Sequence, residues 1–229
     1  MSVQAIVLAR GGSKGIPGKN IIDFCGQPLI TWTIEHCLQS ALVDKVWVSS
    51  DSKEILDIAR DSGSETIQRP DEFSDDHSTS ESAWIHALDH LKKKKIIPEI
   101  ILAPQVTSPL RESSDLDKAI EKFIEGSYDS MFSCCPVEDL FFWQESKEGR
   151  LESVNYDHKK RMRRQDITNK FIENGSFYLF TPQIIRQHSN RFGGKIGYLE
   201  MEFWKMFEID SKEDIQMCSA LMKEFLIGG

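Results

Sequence analysis

The sequence predicts an α/β protein with a mostly parallel sheet flanked by helices, and three observations point there. Short β-branched runs alternate with stretches of helical periodicity as far as Pro136. Each strand-helix unit is long enough to form a crossover, which joins parallel neighbours. Glycines and cations also crowd the first strand-to-helix junction, where open sheets of this class hold their ligands.

The elements follow in order. Ala5–Ala9 (AIVLA) is an apolar run that predicts a buried first strand. In PLITWTIEHCLQSA, residues Leu29, Ile30, Thr33, Ile34, Cys37 and Leu38 share one stripe, which predicts a helix, and KVWVSS predicts the next strand. KEILDIARDSG reads as a helix capped by Asp51 or Ser52 and closed by Gly63. SESAWIHALDHLKKKK is a second helix, and EIILAP a strand after it. SSDLDKAIEKFIEG is a third, with Ser113 or Ser114 at its N-cap, and YDSMFSCCPV the strand that follows. The cations of KKKK sit at a helix end, where they complement the macrodipole and remain solvated. From about residue 138 to 170 the pattern turns polar and irregular and reads as an insertion standing off a single domain that spans residues 1–229. FIENGSFYLF regains strand character, and MFEIDSKEDIQMCSALMKEF reads as a last strand running into a C-terminal helix.

Composition narrows the function. At 229 residues the chain can bury a core without staples. A net charge of −8 opposes general binding to nucleic acid or an anionic membrane, so any cationic site is local. Five cysteines with no C-x-x-C spacing suggest neither a disulfide framework nor zinc, and fit a reducing, cytoplasmic setting. No run approaches the roughly 18 apolar residues of a spanning helix.

The loop LARGGSKGIPGKN (Leu8–Asn20) carries Gly11, Gly12, Gly15 and Gly18 with Arg10, Lys14 and Lys19. Glycines let the backbone approach a ligand and turn its N–H groups toward an anion, and the cations suit a polyphosphate. Neither better-known phosphate loop matches. Gly18-Lys19 is followed by Asn20 and lacks the upstream glycine of a Walker A loop, and no two glycines stand one residue apart as the dinucleotide fingerprint requires.

As a whole, this stretch resembles the first signature of the acylneuraminate cytidylyltransferases, the CMP-sialic acid synthetases. QRPDEFSDDHSTS, QVTSPLR, RRQD with ENGSFYLF, and FEIDSKEDIQ resemble that family's later motifs in the same order, over about Ala5 to Met217. The resemblance implies a nucleotidyltransferase-type, Rossmann-like fold, usually dimeric through the protruding insertion. It implies an enzyme that converts CTP and a free nine-carbon 2-keto sugar acid into CMP-sugar and pyrophosphate with Mg²⁺; the alternatives are a cytidylyltransferase for another keto sugar acid, pseudaminate or eight-carbon, and a non-catalytic nucleotide-binding regulator. Carried over by position, Leu8, Ala9, Arg10, Gly11, Ser13, Lys14, Lys19 and Asn20 would hold the nucleotide, joined by Arg69 and Ser80. Gln105, Arg164, Asn174 and Tyr178 would hold the sugar acid, with Arg164 offered across the dimer. Arg10, Lys19 and Asp210 would carry catalysis, and Asp210 with Glu208 the metal. Glu208 stands where many members carry aspartate, and Ile172 where some bacterial members carry arginine.

Other clusters have plainer explanations. Lys159, Lys160, Arg161, Arg163 and Arg164 could form a nuclear address or a nucleic-acid contact, but in an acidic chain a patch matched to an acidic sugar is the more economical reading. Asp75, Asp76 and His77 lie in a serine-rich loop and read as caps for the next helix. His86 and His90 are four apart on one helix but lack a paired carboxylate motif, and Cys134-Cys135 lie in an apolar strand.

Overall fold

The computed structural model describes residues 1–13, 15–75, 78–137, 140–161, 163 and 170–228. The chain runs β1 (Val3–Leu8), a hairpin of β2 (Asp23–Phe24) and β3 (Gln27–Pro28), α1 (Leu29–Gln39), β4 (Lys45–Ser50), α2 (Lys53–Asp61) and β5 (Glu65–Gln68). It continues through α3 (Ser80–Lys93), β6 (Ile100–Pro104), α4 (Ser113–Glu125) and β7 (Ser130–Val137). A second hairpin, β8 (Trp143–Glu145) and β9 (Leu151–Ser153), precedes β10 (Lys170–Phe180), α5 (Pro182–His188), β11 (Ile196–Glu200) and α6 (Lys212–Met222).

Seven strands form one sheet in the order β11-β7-β10-β6-β1-β4-β5. β1 pairs parallel with β4 and β6, β4 with β5, and β7 with β11, whereas β10 runs antiparallel to both neighbours. The chain thus builds outward from β1 to β5 and then returns to place β6 on the other side of β1. That reversal opens a crevice at the carboxyl ends of β1 and β6.

Helices cover both faces. Along β1, Val3, Ala5 and Val7 face a core shared with α1, α2, α4 and α6, whereas Ile6 faces the core of α3 and α5. β10 alternates in the same way, with Phe177 and Leu179 on the first side and Tyr178 and Phe180 on the second. This strand period of two makes the sheet apolar on both faces, as a parallel sheet must be.

The caps differ in detail from the sequence expectation. Ser52, not Asp51, caps α2, its hydroxyl accepting from the Ile55 amide. Thr79 caps α3, so Asp75 does not; Asp76 and His77 lie outside the described residues. Glu112 opens α4 in a reciprocal capping box with Asp115, a residue ahead of Ser113. The last strand is Ile196–Glu200, not the FEID segment. Phe207–Asp210 crosses the carboxyl ends of the strands instead, and the Ile209 amide bonds the Thr107 carbonyl at 2.7 Å. Within the expected insertion, the β8–β9 hairpin forms its own two-stranded sheet outside the main one. Among the described residues no helix is long and apolar enough to cross a membrane.

Candidate active site

The loop after β1 is held from three directions. The Gly11 amide donates to Asp51 Oδ1 at 3.0 Å, and the Asn20 side-chain amide donates to the Arg10 carbonyl at 2.9 Å. Ile16 is buried in the first core and pins the loop's middle. Gly18, at φ +63°, turns the chain into the 3-10 helix Lys19–Ile21, a conformation most side chains resist. A Cβ at Gly15 would stand 3.1 Å from the Asp210 carbonyl oxygen, so the loop lies directly on the acidic segment.

Beneath it opens a cleft of about 480 Å³ at the crevice between β1 and β6. Of the residues singled out from the sequence, Leu8, Arg10, Ser13, Lys19, Asn20, Arg69, Ser80 and Gln105 line it. Ala9 and Gly11 belong to the loop backbone: the Ala9 carbonyl accepts from Arg69 Nη2 at 3.4 Å. Lys14 and Arg164 lie outside the described residues. Sequence reasoning missed the aromatic wall of Phe73 and Trp84 and the rim of Thr79 and Thr107. It also missed Asp51, which grips Gly11 and stands 3.9 Å from Arg69 Nη2. An acid just ahead of a serine that can itself cap the helix is a signal that would have freed Asp51 for another role.

The cleft concentrates positive charge. Burial holds the Arg69 guanidinium below its ordinary pKa, Asp51 opposes that, and nearby Arg10 adds to it. Lys19 Nζ meets Asp210 Oδ1 at 2.9 Å across 191 residues of sequence. The Asp210 side chain remains 66% exposed, open to further ligands. Glu208 is exposed at the surface, and desolvation by the fold around it, followed by the charge of Asp210, raises its pKa, with Lys19 opposing. A Cβ on Gly175, which sits at φ +65°, would lie 3.2 Å from Glu208 Oε2.

Asn174 and Tyr178 are placed differently from the cleft residues. The Asn174 amide is buried and fully engaged: Oδ1 accepts from Ser133 Oγ at 2.6 Å and Nδ2 donates to the Lys205 carbonyl at 3.1 Å. It fixes the irregularity of β10 between Glu173 and Tyr178. The Tyr178 hydroxyl donates to Glu173, and its ring lies 4.5 Å from the Arg191 guanidinium and edge-on to Phe192. Burial, then the Glu173 hydrogen bond, raises the phenol's pKa.

The remaining candidates take structural roles. His86 stacks on Phe73 at 5.2 Å and His90 meets Trp47 edge-on at 6.3 Å; burial lowers both pKa values. No group of three potential metal-ligating side chains occurs among the described residues. Cys134 and Cys135 are buried, and burial pushes their thiols up to about 12 and about 11, which leaves them inert near neutrality.

A sheet of this order, with a glycine-rich cationic loop at its switch point, defines a nucleotidyltransferase-type fold. The solved CMP:2-keto-3-deoxy-manno-octonic acid synthetase complexed with CTP superposes with a TM-score of 0.75 at 16% identity, covering 99% of this chain and 100% of that one. A 4-diphosphocytidyl-2C-methyl-D-erythritol synthase gives 0.71 at 11% identity, over 96% of this chain and 99% of that one. A family model described as cytidylyltransferase matches residues 4–226, and the chain belongs to that family. It is 36% identical over 211 residues to N-acylneuraminate cytidylyltransferase A of Danio rerio, covering 91% of this chain and 48% of the relative. It is 31% identical to a pseudaminic acid cytidylyltransferase of Campylobacter jejuni over 97% of both chains. The chain therefore spans about half the length of the fish relative and nearly all of the bacterial one.

Proposed function

We propose that the chain is a single-domain cytidylyltransferase that joins CTP to a free nine-carbon 2-keto sugar acid of the sialic type, such as N-acetylneuraminate or legionaminate. The observation that carries this reading is the Lys19–Asp210 contact at the mouth of the cleft, where loop cations meet a carboxylate from the far end of the chain.

The anomeric hydroxyl attacks the α-phosphorus of CTP, its oxygen forms the new P–O bond as its proton passes to solvent water, and the bond to the departing pyrophosphate breaks. All partners are anionic, so catalysis is chiefly positioning and charge neutralisation. Loop amides, Arg10 and Lys19 hold the triphosphate and stabilise charge gathering on the departing pyrophosphate. Arg69, Ser80 and Leu8 seat the nucleoside side, and Gln105 reaches toward the sugar acid. Arg164 supplies the planar fork that reads the sugar carboxylate. Asn174 acts by holding the irregular turn of β10, and Tyr178 acts from the core behind the cleft, through its hydroxyl bond to Glu173.

Mg²⁺ fits the acidic pair. Magnesium sites at phosphates use one or two carboxylates with substrate oxygens rather than an all-protein cage, and Asp210 and Glu208 offer two beside the loop. Desolvation first, and then repulsion from Asp210, raise the Glu208 pKa, and a divalent cation would relieve that repulsion. When bound, the ion neutralises phosphate oxygens at the reacting centre.

The β8–β9 hairpin, with Phe142, Trp143, Leu151 and Val154 exposed, is the dimer element in this reading. The protein acts as a cytoplasmic homodimer.

CTP-dependent pyrophosphate release across a panel of nine- and eight-carbon 2-keto sugar acids, with and without Mg²⁺, tests the proposal. Robust Mg²⁺-dependent release with a sialic-type acid is expected. Lys19→Ala and Asp210→Ala each lower kcat/KM by 100-fold or more on the order expected for lost electrostatic stabilisation. Melting temperature changes by only a few degrees, because an ion pair with one exposed partner contributes about 1 kcal/mol or less. Near-normal turnover in either variant refutes the assignment.

A further inference from the structure

Arg111 is fully buried, yet its hydrogen bonds go to neutral oxygens. Nη1 donates to the Ser176 carbonyl and, at 3.3 Å, to the Ser176 hydroxyl. Nη2 donates to the Gln105 carbonyl at 2.5 Å and to Thr33 Oγ1 on α1 at 2.8 Å. Nε has no hydrogen-bond partner among the described residues. Burial lowers its pKa to about 10, so the group stays charged at neutral pH. A buried cation with an orphaned donor is expensive, and an apolar residue would fill the space at lower cost. What the fork alone provides is geometry. It clasps the end of β6, where Gln105 enters the cleft, to the irregular stretch of β10, where Gly175 meets Glu208. The Gln105 amide closes the clasp by donating to the same Ser176 carbonyl at 2.9 Å.

We propose that Arg111 is a positioning residue for the sugar-acid side of the cleft: without touching substrate, its buried fork locks Gln105 against the Ser176 turn. The claim rests on the function proposed above and names how that site is preorganised. Lysine retains the charge but cannot present a planar fork to two carbonyls.

In the full-length protein, Arg111→Lys raises KM for the sugar acid about tenfold and leaves KM for CTP within about twofold. Combined with Gln105→Ala it adds little, because residues acting through one another are non-additive. Additive losses, or an equal rise in both KM values, overturn the proposal. Amide hydrogen exchange of the ligand-free protein supplies a readout that needs no turnover. Arg111→Lys speeds exchange at the Gln105 amide but not along β4, and unchanged exchange at Gln105 overturns the proposal. Should the wild-type protein release no pyrophosphate with any keto acid, the proposed function fails, and the exchange experiment still judges the clasp. If Arg111→Lys does not fold, Thr33→Val serves in its place. It removes one acceptor outside the cleft, and the same KM split and non-additivity with Gln105→Ala are expected at about threefold.

Discussion

Replacing Lys205 with methionine tests the scaffold under the acidic segment. The side chain is fully buried, and Nζ lies 2.8 Å from Asp115 Oδ2, 2.9 Å from Glu112 Oε2 and 2.9 Å from Glu202 Oε2. Burial works against the charge, but the hydrogen bonds that Lys205 donates to Asp115, Glu112 and Glu202 raise its pKa on balance. The sign follows: stabilisation is complete below the ordinary lysine value and is lost only as pH climbs through the higher folded value. The two glutamates are about half exposed and count for little. Asp115, at 5% exposure, is the partner that matters. Stranding a buried carboxylate costs about 3–5 kcal/mol. For a chain of this size each kcal/mol moves the melting temperature by about 2–4 °C, so Lys205→Met lowers it by about 6–20 °C. Asp115→Asn added to Lys205→Met keeps a cap acceptor for the Glu112 amide and neutralises the stranded charge, and recovers part of the loss. Circular dichroism melts at pH 7 read both. A shift below about 3 °C for the single variant, or a further fall in the double, refutes the reasoning.

Two further outcomes are expected. Gly175→Ala forces a Cβ into a φ of +65° and to within 3.2 Å of Glu208 Oε2, costing about 1–2 kcal/mol and displacing that carboxylate. A melt lowered by about 2–8 °C together with slower pyrophosphate release is expected, and wild-type behaviour in both contradicts it. His36, whose pKa burial and then Arg111 lower to about 3, is neutral in the fold but protonates near 6.5 when unfolded. Stability present above pH 6.5 therefore erodes as pH falls, by at most about 1.4 kcal/mol per pH unit from this one proton. Between pH 6.5 and 5 the melting temperature of His36→Gln falls less steeply than that of the wild type, and parallel curves count against the account.

Strands β1, β4, β6 and β7 were legible because the period-two and period-3.6 runs around them are long, whereas β5 escaped because ETIQ is four residues long and fully buries only Ile67. The loop was legible because glycines and cations at a strand end have few other uses. Direction was not: FIENGSFYLF reads as a strand, but nothing in its alternation says that β10 runs against its neighbours. β11 escaped notice because IGYLE is short, carries glycine and buries only alternate residues. FEID read as a strand because it alternates, whereas its backbone serves to lay Asp210 across the cleft mouth and gains one bond to Thr107 instead of a ladder. Asn174 shows the limit of a motif. Position marked it as part of the site, but only the buried partners Ser133 and Lys205 reveal that its amide is wholly spent on the fold.

The meeting of Lys19 with Asp210 also fixes when the rim of this cleft can first be completed during synthesis. A nascent chain emerges with its glycine-rich loop early and the opposing carboxylate 191 residues later. Until the Phe207–Asp210 segment docks, the loop lacks its support at Gly15, and a stalled or clipped chain carries an unfinished rim.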